Sequence, residues 1–152
     1  MSQLHQRKRS KESLSDEYET PKIEVFDMLC SKYKIHPKID VCAKYPNNKC
    51  QRFYTKMGDG LKFRWDQDFW CNPPHSMTKQ FVKKAYEEHL TYNVNGMMII
   101  PANTMSSKFW HIYIEDVAEV HAIKGRIRFL VDGKPSKFAS RNAYVCVIWR
   151  KK

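Results

Sequence analysis

The residues with the clearest chemical potential are Asn72-Pro73-Pro74-His75, which directly follow the apolar run Asp68-Phe69-Trp70-Cys71. Two consecutive prolines stiffen the turn and leave the Pro73 carbonyl without a neighbouring N–H to compete for it. Asn72 adds a side-chain carbonyl, so two acceptors can converge on a single amino group. Such a pair suits an amine whose lone pair is delocalised into a ring or a carbonyl. Accepting both hydrogens draws the nitrogen toward tetrahedral geometry and aims its lone pair at an electrophile. No strong general base is needed, because the nitrogen becomes acidic once it has gained a substituent. His75 supplies a flat ring beside the acceptors. Alone, the turn is also consistent with an ordinary strand end, since prolines cannot donate to a sheet ladder.

The elements around this turn alternate in type. Ile23, Val25, Phe26, Met28, Leu29 and Tyr33 have the three- and four-residue spacings of an amphipathic helix over 22–33, with Pro21 at its first turn, where a missing N–H costs nothing. Strands are expected over 39–43, 53–55, 68–71, 97–100, 118–123 and 143–149, and helices over 76–92 and 106–114. Residues 126–131 either extend the preceding strand or form a hairpin arm, and Gly58-Asp59-Gly60 reads as a turn. Strands alternating with helices predict a three-layer α/β fold with a mostly parallel central sheet flanked by helices; its last strands could pair antiparallel. In such sheets ligands gather at the carboxyl ends of the strands, so the loops after Ala43, Cys71 and Ile100 should share one rim.

Composition narrows the partners. The chain of 152 residues is sized for one domain, expected over 18–152, with 1–17 as a mobile basic leader. Its longest apolar run, Met97 to Ala102, is too short to cross a bilayer, so no membrane association is expected. The start has no secretory pattern, and an intracellular setting follows, the cytoplasm or a host cell if the protein is virus-encoded. Five cysteines without a CxxC pair fit reduced thiols, and the spacing of His36, Cys42 and Cys50 matches no zinc pattern, so no metal is expected. Twenty-seven Lys and Arg against 16 Asp and Glu give a formal charge of +11, which favours a polyanion. Part of that excess lies in the two ends, but Lys79, Lys108, Lys124, Arg126, Arg128, Lys137 and Arg141 carry it through the folded part and are the candidate nucleic-acid contacts.

Taken in order, Glu19-Thr20-Pro21, Asp40-Val41-Cys42-Ala43, Lys49-Cys50, Arg52-Phe53-Tyr54-Thr55, Asp59-Gly60-Leu61, the Asn72 turn, Pro101-Ala102-Asn103-Thr104, Phe109-Trp110 and Gly125-Arg126-Ile127-Arg128-Phe129 resemble the amino-methyltransferases with an Asp/Asn-Pro-Pro-aromatic motif. More narrowly, the chain resembles the short phage-type DNA N6-adenine methyltransferases of the Dam group, from Tyr18 to about Val147. The resemblance implies a Rossmann-like, S-adenosylmethionine-dependent enzyme that flips a base of double-stranded DNA into a pocket and methylates its exocyclic amine, adenine N6. It implies that Thr20, Pro21 and the loop of Asp40, Val41, Cys42 and Ala43 hold the methionine part of the cofactor, with Asp59 at its adenosine. Asn72, also beside the cofactor, and Pro73 would accept from the amine, Pro74 would fix the turn, and His75 would stack on the base.

Two features depart from the pattern. His75 stands where Tyr, Phe or Trp is common, and Ala43 to Asn48 contains no glycine, so glycine-rich cofactor logic does not apply. Cytosine N4, an RNA base or a glutamine amide presents the same kind of amine, and a catalytically inert DNA-binding relative is the alternative from another class. Tyr18 is either a staple on the first helix or a lid over the cofactor. No separate target-recognition domain is expected, so specificity would come from loops such as 103–108 and 132–142, in a monomer or a homodimer.

Overall fold

The computed structural model describes residues 18–55 and 59–152. The expected leader, 1–17, lies outside the described residues. Lys22–Asp27 form a widened helical turn in which the Phe26 amide donates to the Pro21 carbonyl (3.1 Å), and Met28–Tyr33 continue it as α1. Then follow β1 (Ile39–Ala43), β2 (Arg52–Thr55), α2 (Asp59–Lys62), β3 (Phe69–Cys71), α3 (Thr78–Tyr92), β4 (Gly96–Pro101), α4 (Lys108–Tyr113), β5 (Glu119–Ala122), β6 (Leu130–Val131), β7 (Lys134–Pro135) and β8 (Tyr144–Trp149).

Six strands form one sheet in the order β2-β1-β3-β4-β8-β5. The β2/β1, β1/β3 and β3/β4 pairs are parallel, while β8 runs antiparallel between β4 and β5. Helices pack on both faces, as the alternating pattern predicted. Alternation along β4 and β8 divides the core: Met98, Ile100, Val145, Val147 and Trp149 face α3 and α4, with Phe81, Val82, Ala85 and Trp110. Met97, Ile99, Cys146 and Ile148 face α1, with Val25, Phe26 and Leu29. Strands covered on both sides in this way need continuous apolar runs, which β4 and β8 have.

Residues 126–131 do not lengthen β5. Ile127 and Phe129 are buried under the α1 face, and Leu130–Val131 pair with Lys134–Pro135 as a separate two-stranded hairpin. Its turn, Asp132-Gly133, has positive φ at both residues (52° and 79°), the conformation that gives a two-residue hairpin the twist of its strands and selects Asp-Gly. The hairpin is tied back to the chain start by a two-way backbone bridge between Glu19 and Leu130 (2.9 and 2.8 Å).

The short helix α2 replaces part of the turn expected at 58–60. Gly60 is forced by its surroundings: a Cβ there would lie 2.2 Å from the Val41 carbonyl oxygen, and its own carbonyl accepts from the Trp65 indole (2.7 Å). The five cysteines are unbridged, four buried and Cys50 half-buried. Among the described residues no three His, Cys, Asp or Glu gather as a metal would require, and no helix is long and apolar enough to cross a membrane.

Candidate active site

The chain leaves β1 outward to β2 and returns to β3 on β1's other side, so the strand order reverses between β1 and β3. A crevice opens where such a reversal occurs, at the carboxyl ends of the two strands. The loop after β1 and the Asn72 turn after β3 meet there, with Glu19 and Thr20 running across from the α1 side. Pairing of β1 with β2 slips between Asp40 and Ala43, an irregularity that re-aims the strand end.

The small cavity at this point, about 20 Å³, is lined by Glu19, Thr20, Asp40, Cys42, Trp70 and Asn72, among others. Two of its polar atoms are buried without a hydrogen-bond partner among the described residues: Glu19 Oε2 and Thr20 Oγ1. The other Glu19 oxygen is held by the Asn47 amide. Leaving a buried carboxylate oxygen and a hydroxyl unmatched is costly, so an unmatched pair on one cavity wall is the mark of a polar ligand site.

Asp40 has a different place. Its buried carboxylate accepts from the Cys42 amide (3.2 Å) and the Lys49 amide (2.9 Å), folding the loop after β1 back on itself. Cys42 and Ala43 line the cavity, but Val41 is fully buried in the core on the α3 face. Pro21 starts the first helix and lines a separate cavity. Asp59 opens α2, and its side chain lies outside the described residues.

Asn72 is half-buried. Its amide nitrogen donates to the Tyr18 carbonyl (3.3 Å), which leaves Oδ1 as the end available for a donor. Pro73 and Pro74 are buried, and the Pro74 carbonyl accepts from the Met77 amide (3.0 Å), closing the turn His75–Met77 that leads into α3. His75 is exposed, with Nε2 2.7 Å from the hydroxyl of buried Tyr144. Burial pushes that phenol well above its ordinary range, so it stays protonated at neutral pH.

A second, wider cavity, about 790 Å³, lies on the His75 side of Tyr18. Tyr18 stacks on Phe129 (5.7 Å between ring centres, 21°), and Phe129 meets Tyr144 edge-on (5.0 Å). Tyr18 lines both cavities and therefore stands between them, its ring packed on Phe129. His75, Tyr18 and Phe129 give the wider cavity an aromatic wall suited to a flat ring.

The candidate cations separate in space. Lys137 and Arg141 line the His75 cavity. Lys124, Arg126 and Arg128 rim another cavity beside α1, of about 310 Å³, and the Arg126 guanidinium donates to the Arg141 carbonyl. Lys79 and Lys108 are exposed on α3 and α4 and line neither. Sequence reasoning passed over Glu19, Phe129 and Tyr144 as site residues. Asp132-Gly133 was the readable signal for the hairpin that brings Glu19 and Leu130 together, whereas nothing local marks Tyr144 as more than a strand residue.

Residues 7–152 match the profile of a protein family described as DNA N-6-adenine-methyltransferase (Dam). A DNA N-6-adenine-methyltransferase of Escherichia phage T1 is 29% identical over 136 residues, covering 88% of this chain and 56% of that protein. Another of that name, from Haemophilus phage HP1, is 27% identical over 108 residues, covering 70% of this chain and 62% of that protein. The matched region thus spans less than two thirds of either relative.

Proposed function

Because the chain belongs to the DNA N-6-adenine-methyltransferase (Dam) family, we propose that it transfers a methyl group from S-adenosylmethionine to the exocyclic N6 amine of an adenine flipped out of double-stranded DNA. The observation that carries this reading is the setting of Asn72. Its amide nitrogen is committed to Tyr18, its carbonyl oxygen is left for a donor, and it borders the cavity that holds two unmatched polar atoms.

Those atoms fit the methionine end of the cofactor. Glu19 Oε2 would accept from its ammonium group and Thr20 Oγ1 would pair with it or with its carboxylate, while Asp40 acts indirectly by shaping the Cys42–Ala43 loop. The order Rossmann-like sheets use, with ligands at the reversal between β1 and β3, supports the same placement. A cavity of about 20 Å³ has room for a single water, so Asn47 and the Asp132-Gly133 turn must move outward on binding. They are held by the Glu19–Asn47 contact and the exposed Lys44–Asp132 pair (2.8 Å), both exchangeable for ligand or water.

When bound, S-adenosylmethionine supplies a methyl made electrophilic by its sulfonium. The protein's part is alignment and exclusion of water. Asn72 Oδ1 and the Pro73 carbonyl accept the two amine hydrogens, directing the nitrogen lone pair toward the cofactor cavity. His75 and the Tyr18–Phe129 pair hold the adenine ring, and the Tyr144 hydroxyl fixes the plane of His75. Flipping costs a few kcal/mol, offset by these stacking and amine contacts. Lys137, Arg141, Arg126 and the neighbouring cations hold phosphates.

Asn72→Ala tests this. With labelled S-adenosylmethionine and unmethylated duplex DNA, the variant should melt as wild type does and transfer no detectable label. Product near the wild-type yield would overturn the assignment.

A further inference from the structure

The loop between β7 and β8 carries an apolar side chain that the fold does not use. Phe138 is 74% exposed, as open to solvent as any large apolar residue described. Yet its loop is pinned. The Ser136 amide donates to the Phe129 carbonyl (2.8 Å), the Ser140 amide to the Ile127 carbonyl (2.7 Å), and Ser136 Oγ to the Phe138 carbonyl (2.8 Å). Ile127 and Phe129 are themselves core residues, so Lys137, Phe138 and Ala139 form a short arch on a rigid base. A ring held out at the apex of a braced arch gains nothing for folding, because it stays in water.

Three features say what covers it. The stretch from Lys134 to Arg141 contains three cations and no acid. Lys137 Nζ lies 5.7 Å from the Phe138 ring centre, placing positive charge beside the ring. Phe138 and His75 also line the same cavity. An apolar ring beside cations, on the same cavity as the residue proposed above to stack on the base, is complementary to an opened base step in a duplex, with phosphates on either side.

We propose that Phe138 is the wedge that enters the duplex and fills the place vacated by the flipped base, with Lys137 and Arg141 on the flanking phosphates. The inference rests on the DNA-methyltransferase reading above. Flipping leaves a gap in the stack, and an aromatic ring inserted there restores stacking on the neighbouring bases and slows the target's return.

Phe138→Trp makes the test direct. The four native tryptophans are all buried, at 5% exposure or less, so the added indole is the accessible one. The full chain is titrated with a short duplex carrying a site that the wild-type protein methylates, in the presence of S-adenosylhomocysteine. Binding is followed by anisotropy. At saturation the emission should be quenched and its accessibility to acrylamide should fall by about twofold or more, as for an indole stacked between bases. Phe138→Ala should methylate the duplex about tenfold more slowly at unchanged melting temperature. Saturated binding with unchanged emission and acrylamide access, or a wild-type rate for Phe138→Ala, would overturn the wedge. Absence of methyl transfer by the wild-type chain to any duplex would instead overturn the functional reading beneath it.

Discussion

Replacing Gly60 with alanine sets two local effects against each other. Gly60 lies in α2, where alanine gains about 1 kcal/mol in helix propensity over glycine. Against that, the new methyl would stand 2.2 Å from the Val41 carbonyl oxygen and 3.1 Å from Phe81 Cε1, more than 1 Å inside ordinary contact with a backbone atom. Val41 cannot retreat easily, because β1 lies between β2 and β3 in the sheet and the Val41 side chain is locked in the core. Overpacking of this kind costs about 1–3 kcal/mol, and the backbone origin of the clash places it at the upper end. The clash therefore wins, by about 1–2 kcal/mol, which for a chain of this size lowers the melting temperature by about 2–8 °C. Relief comes by displacing the carboxyl end of β1, so affinity for S-adenosylmethionine should fall as well. Thermal unfolding by circular dichroism and calorimetric titration of the cofactor measure the two effects. An unchanged or raised melting temperature would show that α2 can slide off β1, and would refute the close approach as the reason for glycine.

Glu19→Gln removes the charge of the unmatched oxygen while keeping the backbone bridge to Leu130. Cofactor affinity should fall about tenfold to a hundredfold, as for a lost charged hydrogen bond, with apo stability unchanged or slightly raised; calorimetry showing wild-type affinity would contradict the placement of the ammonium. Glu119 is held below the usual carboxylate range chiefly by its hydrogen bond from Arg150, at 2.6 Å, and then by His121. A depressed folded value contributes stability above about pH 4.5 that is lost as pH falls through the folded value, so Glu119→Gln should cost about 0.5 kcal/mol at pH 7, for a pair this exposed, and less at pH 3–4. Urea unfolding at the two pH values measures it; an equal cost at both would place the effect in packing. At the alkaline end, burial pushes the Cys146 thiol up to about 12, so it favours the folded state below pH 9 and that contribution is lost as pH rises toward 12.

Much of this architecture was legible because the central strands are buried on both faces. The continuous apolar runs of β4 and β8 leave little choice of element, and two prolines after Cys71 fix where β3 stops. The Asn72 turn could be placed on the correct rim from topology alone. Residues 126–135 were harder, since two-residue strands carry no periodicity and only Asp132-Gly133 marks the turn. Val41 was assigned to the cofactor with its neighbours, yet its side chain is buried in the core on the α3 face and does not line the cavity. Glu19 was read only as part of the Glu19-Thr20-Pro21 segment and given no role: a glutamate is ordinarily solvated, and its burial comes with tertiary contacts, among them the Asn47 amide and the bridge to Leu130, over a hundred residues away. The cations were identifiable by type, but their division between the His75 cavity and the α1 side depends on how the β6–β7 hairpin folds.

The atom that receives the methyl group decides between an adenine methyltransferase and every other reading. The purified chain, incubated with labelled S-adenosylmethionine and unmethylated duplex DNA, yields a product that can be digested to nucleosides and identified by mass spectrometry. N6-methyladenine, absent with Asn72→Ala, is the predicted result. N4-methylcytosine would keep the amine chemistry and contradict the adenine pocket, while DNA with no modified base and no cofactor binding would contradict the account and leave a protein that only binds DNA.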